Sequence, residues 1–223
     1  MTMKPAERAR QVVEILSDYY PQATCTLTHQ SPWELLVGAI LASQCTDERV
    51  NKITPALFDH FPDPPSMARA PQDEIEVLIR SCGLFRSKAK ALRGTAAALI
   101  ESHHGQVPST AEELMRLPGV GRKIANLLMG DAFGAQAIVV DTHCARISRL
   151  LGFTDSDNPV RIERDLSKVV PLDSWTPWGH LMVAHGRQLC RARCRLCFDC
   201  PVRHLCRYGM AVDEADQTES GCV

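Results

Sequence analysis

Only four consecutive residues of this 223-residue chain, Ala137–Val140, read as a strand. Almost everything else periodic has the period of a helix. Val12, Val13, Ile15 and Leu16 recur at helical spacing until Tyr20-Pro21 ends the pattern. Ser31-Pro32-Trp33-Glu34 opens a second helix: Ser31 can cap, Pro32 suits the first position and Glu34 completes a capping box. Further helices are predicted over 47–60, 72–81, 85–103, 110–117, 122–133 and 142–151. The breaks between them are the proline-rich Phe61–Pro65, Pro108, and the glycines Gly83 and Gly105. No repeat of 20–50 residues is present. The chain reads as all-α with short loops.

The length fits one large domain or two small ones. With 45% hydrophobic and 23% charged residues, the chain can build a core and is not a disordered segment. Its longest apolar runs, such as Leu35–Ala42, fall far short of the ~20 residues that span a bilayer. The N-terminus MTMKPAERARQ is charged and has no apolar signal region. These features argue against membrane and secreted classes and predict an intracellular, cytoplasmic protein. The net charge of −1 does not suggest a polyanionic partner, but its distribution does. Ala211–Val223 carries four acids and no Lys or Arg, so the rest of the chain is net positive. Arg187–Arg207 holds six arginines against one acid, Asp199. Such a stretch is either a solvated face or a phosphate-binding patch.

Five of the ten cysteines fall between positions 190 and 206. In a reducing compartment a tight cluster reads as a metal site before it reads as disulfides. Cys190, Cys197, Cys200 and Cys206 are spaced C-x6-C-x2-C-x5-C. Four thiolates so close can hold a 4Fe–4S cluster or a zinc ion, and spacing alone leaves both open.

The most informative stretch is Ser109–Gly152. Thr110 with Glu113 caps a short helix, Leu117-Pro118-Gly119-Val120-Gly121 is a tight turn, and a second helix starts at Arg122. This is a helix–hairpin–helix. Gly119 and Gly121 let the backbone approach a partner, and the next helix aims N–H groups at it, which binds phosphate without reading a base. Lys123 sits in the first turn of that helix, where the dipole disfavours a cation. A neutral amine there would be a nucleophile; a charged one would be a phosphate contact. Asp141 ends the apolar run and is most simply the N-cap of the helix that follows. A capping carboxylate is also a fixed anion, so the two roles coexist.

LPGVGRKIANLL followed by VVDTHCARISRLLG resembles the endonuclease III family of DNA base-excision glycosylases. The similarity continues upstream through LLVGAILASQCTDERVN and GLFRSKA and downstream through HGRQLC and the cysteines, covering about residues 10–210. It implies two helical domains flanking a DNA cleft. One, of six helices, spans 25–135; the other joins 1–24 to 136–223 and carries a cluster loop at 190–206. The implied activity is removal of oxidised pyrimidines from damaged double-stranded DNA, by a monomer, followed by cleavage of the abasic strand. Lys123 matches the lysine that forms a Schiff base at the sugar C1′, and Asp141 the carboxylate that stabilises charge there. Gln44 and Leu84 match residues that fill the gap left by the flipped base, and His143 a DNA-contacting histidine. The cysteine spacing is that of the family's iron–sulfur loop, so the implied cofactor is a 4Fe–4S cluster on Cys190, Cys197, Cys200 and Cys206.

The chain departs from the family at Cys194-Arg195, where Lys-Pro is common, so the phosphate contact falls to Arg193 or Arg195. Cys194 itself could replace one of the four ligands. Cys45 and Ile124 stand where Ala and Thr are commoner. An adenine glycosylase of the same superfamily would carry Glu at the position of Ile40 and a second recognition domain. A thymine-mismatch glycosylase shares the scaffold and the sequence does not separate it. From another class, the chain could be a non-catalytic DNA-binding module or a redox carrier; Lys123 and Asp141 argue against the first, the hairpin against the second.

Overall fold

The computed structural model describes residues 3–212, so the acidic tail singled out above lies outside the described residues from position 213 onward. Twelve α-helices and two 3-10 turns are present among them, with no strand. In chain order the helices are α1 Pro5–Tyr19, α2 Pro32–Leu41, α3 Asp47–His60, α4 Pro64–Arg69, α5 Gln72–Leu78 and α6 Phe85–His103. They continue with α7 Ala111–Leu114, α8 Arg122–Asp131, α9 Thr142–Leu151, α10 Pro159–Leu166, α11 Trp175–Gln188 and α12 Arg207–Ala211. None is long and apolar enough to cross a membrane.

The chain forms two compact units, one of residues 25–135 and one joining residues up to 24 with those from 136 onward. In the first, α2 is buried on nearly every side, as its run of apolar residues demands, and packs against α3, α6 and α8. Leu35, Leu36, Leu92 and Leu99 are fully buried around it. The second unit is built round α11, whose Trp178 and Met182 are fully buried against Leu16 of α1 and Ile147 of α9.

Two expectations change. The proline-rich break at Phe61–Pro65 contains the start of α4. Asp63 caps it by accepting from Ser66 N–H, the Ser66 hydroxyl bonds back, and Pro64 occupies the first turn, where a missing N–H costs nothing. Ala137–Val140 has no regular secondary structure and pairs with no strand, since none is present among the described residues. It lies against α11 instead: Ile138 is buried, and a side chain at Gly179 would press on Val139. A further detail differs at α2, where Ser31 accepts from Glu34 N–H as expected but the Glu34 carboxylate takes Gln30 N–H.

Candidate active site

The hairpin between α7 and α8 is fixed from below by α6. The buried Thr95 hydroxyl donates to the Pro118 carbonyl at 2.5 Å. Gly119 has φ +77°, and a Cβ there would come within 3.0 Å of Ala91. The fold therefore requires glycine at 119. Gly121 is different. Its φ of −98° suits any residue, and a side chain would meet nothing within 4 Å. Gly121 is the N-cap of α8 and provides no side-chain oxygen to the first turn. Lys123, one residue into the helix, is exposed to solvent.

Asp141 is the N-cap of α9, and its Oδ1 accepts from Cys144 N–H at 2.7 Å. The carboxylate is half-buried and held in one orientation by that bond. Beneath it the Cys144 thiol is pushed up to about 12, first by complete burial and then by the charge of Asp141. His143 projects from the same turn. A Cβ at Gly186 of α11 would run into its ring, so that glycine makes the space for it. Arg146 Nη2 lies 3.2 Å from His143 Nδ1. Because a guanidinium only donates, Nδ1 accepts and the proton of the neutral ring sits on Nε2. Arg146 Nη1 meanwhile donates to the Cys190 carbonyl at 2.6 Å and approaches its sulfur at 3.6 Å. One arginine thus joins the turn bearing Asp141 and His143 to the cysteine loop.

Cys190, Cys197, Cys200 and Cys206 line a single cavity together with His185 and Arg195; Cys194 does not line it. As they stand, no three His, Cys, Asp or Glu side chains among the described residues form a group that could hold a metal ion. The surroundings nevertheless suit anionic sulfur. Tyr20 Oη lies 3.0 Å from His185 Nδ1, and His185 Nε2 lies 3.6 Å from Cys200 Sγ. If Tyr20 donates, Nε2 carries the proton and points it at the sulfur. Gly209 N–H donates to Cys206 Sγ at 3.3 Å. Arg195 Nε is buried with no hydrogen-bond partner, a donor left for a group in the cavity. Burial raises all four thiols, Cys200 to about 12, and neighbouring sulfurs add to the rise at Cys190, Cys197 and Cys200. Thiols so placed lose their protons readily only to a cation bound among them.

Residues 37–172 match the model of the HhH-GPD superfamily base excision DNA repair proteins. The endonuclease III of Synechocystis sp. is 48% identical over 201 residues, which is 90% of this chain and 92% of that protein. The chain belongs to the endonuclease III family. A solved endonuclease III trapped as a covalent intermediate on DNA superposes with TM-score 0.88 at 40% identity, covering 94% of this chain and 99% of that one. A thermostable thymine-DNA glycosylase shares the fold, with TM-score 0.84 at 22% identity over 92% of this chain and 98% of that one.

Seen as an endonuclease III, the chain places its expected residues unevenly. Gln44 and Leu84 are both exposed, Leu84 by 57%, although a leucine alone would be expected in a core. Both adopt left-handed backbone, φ 54° and 57°. Such strain in a non-glycine residue costs about 1 kcal/mol or more and gathers at ligand clamps. Their segments touch: a Cβ at Gly83 would lie 3.7 Å from the Gln44 carbonyl. Among the arginines, Arg193 is exposed, while Arg195 lines the cysteine cavity with its guanidinium over Tyr208. Arg203 stacks on Phe198 and donates to the Gly209 and Val212 carbonyls, and Arg207 pairs with Asp155. The basic stretch is therefore partly structural. Sequence reasoning missed Tyr20, Arg146 and His185, because the bonds Tyr20–His185 and Arg146–Cys190 span 165 and 44 positions. His185 lies in the HGRQLC string and Arg146 in VVDTHCARISRLLG, whereas Tyr20 lies in neither.

Proposed function

We propose that this chain is a bifunctional base-excision repair enzyme that removes oxidised pyrimidines from duplex DNA and cuts the abasic strand by β-elimination. It acts as a monomer, in the cytoplasm, on chromosomal DNA. The observation that carries the reading is an exposed lysine at the uncapped start of the hairpin's second helix, in a chain that also fixes a carboxylate at Asp141. Lys123 Nζ attacks C1′ as the glycosidic bond breaks, and the departing base takes up a proton. The sugar opens to a Schiff base between Nζ and C1′. Loss of a C2′ proton expels the 3′ phosphate, and water then frees the lysine. Asp141 stabilises the positive charge that develops at C1′. Gln44 and Leu84 enter the stack where the base has left, and His143 contacts the strand. Gly119 shapes the turn, and Gly121, which the fold does not need to be glycine, leaves room for a phosphate at the start of α8. Arg193 adds a second phosphate contact; Arg195 belongs to the cysteine cavity.

Cys190, Cys197, Cys200 and Cys206 would hold a 4Fe–4S cluster, which supplies a covalent staple across the loop 190–206. Arg146 and Arg195 offset the negative charge of the thiolates, and His185 Nε2 faces Cys200 Sγ at 3.6 Å. Four irons per chain, lost in Cys197→Ser and kept in Cys194→Ser, are expected by metal analysis; one zinc and no iron would sink this assignment. An adenine glycosylase is disfavoured because Ile40 is 4% exposed, within an apolar core, with no carboxylate in its place. The deciding experiment offers duplexes carrying thymine glycol, dihydrouracil, an abasic site or a G:T mismatch and separates base release from strand scission. Borohydride should trap the wild type on abasic DNA and fail to trap Lys123→Gln. Trapping that survives the substitution means another amine attacks.

A further inference from the structure

Two cysteines outside the 190–206 loop meet directly under the pair of strained turns. Cys45 Sγ and Cys82 Sγ are 3.5 Å apart. Cys45 follows Gln44, and Cys82 precedes Gly83-Leu84. Each cysteine closes a turn, Cys45 N–H donating to the Ala42 carbonyl at 3.1 Å and Cys82 N–H to the Ile79 carbonyl at 2.8 Å. The thiols therefore bridge the same two segments that Gly83 and the Gln44 carbonyl bring together. Cys82 is fully buried, whereas Cys45 is partly open to solvent. Lys88 stands close to Cys82, buried to 5% exposure, and its Nζ has no hydrogen-bond partner. Burial pushes the Cys82 thiol up to about 11, while Lys88 and Arg49 pull against that rise.

We propose that Cys45 and Cys82 form a dithiol site for two-electron oxidation by peroxide, whose closure to a disulfide ties the Gln44 turn to the Gly83-Leu84 turn and slows base release. The effect on activity rests on the reading that Gln44 and Leu84 enter the duplex. The more accessible Cys45 sulfur attacks one peroxide oxygen; the O–O bond breaks, the thiol proton joins the departing hydroxide as water, and a sulfenic acid remains. Cys82 then attacks the Cys45 sulfur, the S–S bond forms and the sulfenic oxygen leaves as a second water. Two thiols and one hydrogen peroxide give one disulfide and two waters, the sulfurs losing two electrons and the peroxide gaining them. Closing 3.5 Å to the ~2.05 Å of a disulfide draws the turns together. Two turns that must enter a duplex are then no longer independent. A thiol reductant restores them.

The test treats the holoenzyme with a small excess of hydrogen peroxide, follows the cluster by its visible absorbance, and maps the cysteines by peptide mass spectrometry. The expected result is a linked Cys45–Cys82 peptide and a fall of about fivefold or more in single-turnover base release, the lower end of ordinary coupling between sites. Dithiothreitol should reverse both with the cluster absorbance unchanged. Cys45→Ala, and separately Cys82→Ala in case one variant folds poorly, should keep full activity through the same treatment. Absence of the linked peptide overturns the proposal. So does a linked peptide with unchanged base release, or equal peroxide sensitivity in the cysteine variants. Gln44→Ala and Leu84→Ala, measured reduced, keep the two readings apart. If they leave base release intact, the duplex-entry reading fails; if they lower it and the disulfide does not, only the oxidation proposal fails.

Discussion

The helices α8 and α9 begin in opposite ways, and each beginning carries one half of the proposed chemistry. At α8 the N-cap is a glycine, which has no side chain to cap the first turn, and Lys123 is exposed to solvent on a long stem. At α9 the N-cap is Asp141, whose Oδ1 is held by Cys144 N–H at 2.7 Å. A nucleophile has to travel to form a bond and later release it, so freedom suits Lys123. An anion that stabilises a transition state is effective because it does not have to reorganise, so rigidity suits Asp141. In the proposed mechanism the same structural element, a helix N-terminus, serves both needs, because the N-cap of α8 has no side chain and that of α9 is closed by its own carboxylate.

The largest effect that tests this contrast comes from Lys123→Arg. Arginine keeps the charge and could keep a phosphate contact, but it does not form the Schiff base. Base release should fall about 10^3-fold or more, as when a covalent nucleophile is removed, with duplex affinity nearly retained. An arginine variant that still releases base would make Lys123 a phosphate contact, the other role open to a cation at that position.

Asp141→Asn should come next. Single-turnover base release is expected to slow by about 10^2- to 10^3-fold, the cost of removing one preorganised electrostatic partner. Affinity for duplex should hold or rise slightly, since the carboxylate repels the polyanion in the ground state. Equal losses in affinity and rate would mean that Asp141 serves binding and not the transition state.

How much of this was readable from the sequence follows the range of the interactions. The helices at 47–60, 85–103 and 142–151 were legible to the residue because caps and periodicity are local signals. The short α4 was missed, since a proline that usually interrupts a helix also starts one when an Asp-x-x-Ser cap precedes it. Ala137–Val140 reads as a strand because a four-residue apolar run does not distinguish a strand from an irregular segment that buries one residue, here Ile138. Lys123 and Asp141 were nominated from motif and position. The left-handed backbone of Gln44 and Leu84 was invisible, because nothing in a glutamine or leucine announces positive φ. The Cys45–Cys82 contact spans 37 positions, and Arg146 reaches Cys190 over 44, so only the fold could pair them.

A smaller effect separates the hairpin's two glycines. Gly119→Ala forces a side chain into φ +77° and against Ala91, and should cost about 1–2 kcal/mol of stability by thermal or denaturant unfolding. Gly121→Ala meets open space on an extended backbone and should shift stability by less than about 0.5 kcal/mol. Its effect should appear on DNA instead, weakening duplex binding by roughly fivefold, near the value of one hydrogen bond to a phosphate. Unchanged binding in Gly121→Ala would mean that no partner approaches the open start of α8.

The smallest expected effect probes the closed start of α9. Asparagine caps a helix about as well as aspartate, whereas alanine loses the cap and costs about 1 kcal/mol. Thermal unfolding of Asp141→Asn should therefore match wild type to within a few tenths of a kcal/mol, while Asp141→Ala should be destabilised measurably. The amide oxygen of asparagine can still accept from Cys144 N–H, so His143 and Arg146 keep their places in the first turn. The pair of variants thus divides the two roles of one side chain. If chemistry needs the charge, Asn and Ala should be equally slow in base release although only Ala unfolds early. If Asn releases base at the wild-type rate and Ala does not, Asp141 acts by holding the turn in place, and α9 would differ from α8 only in being capped.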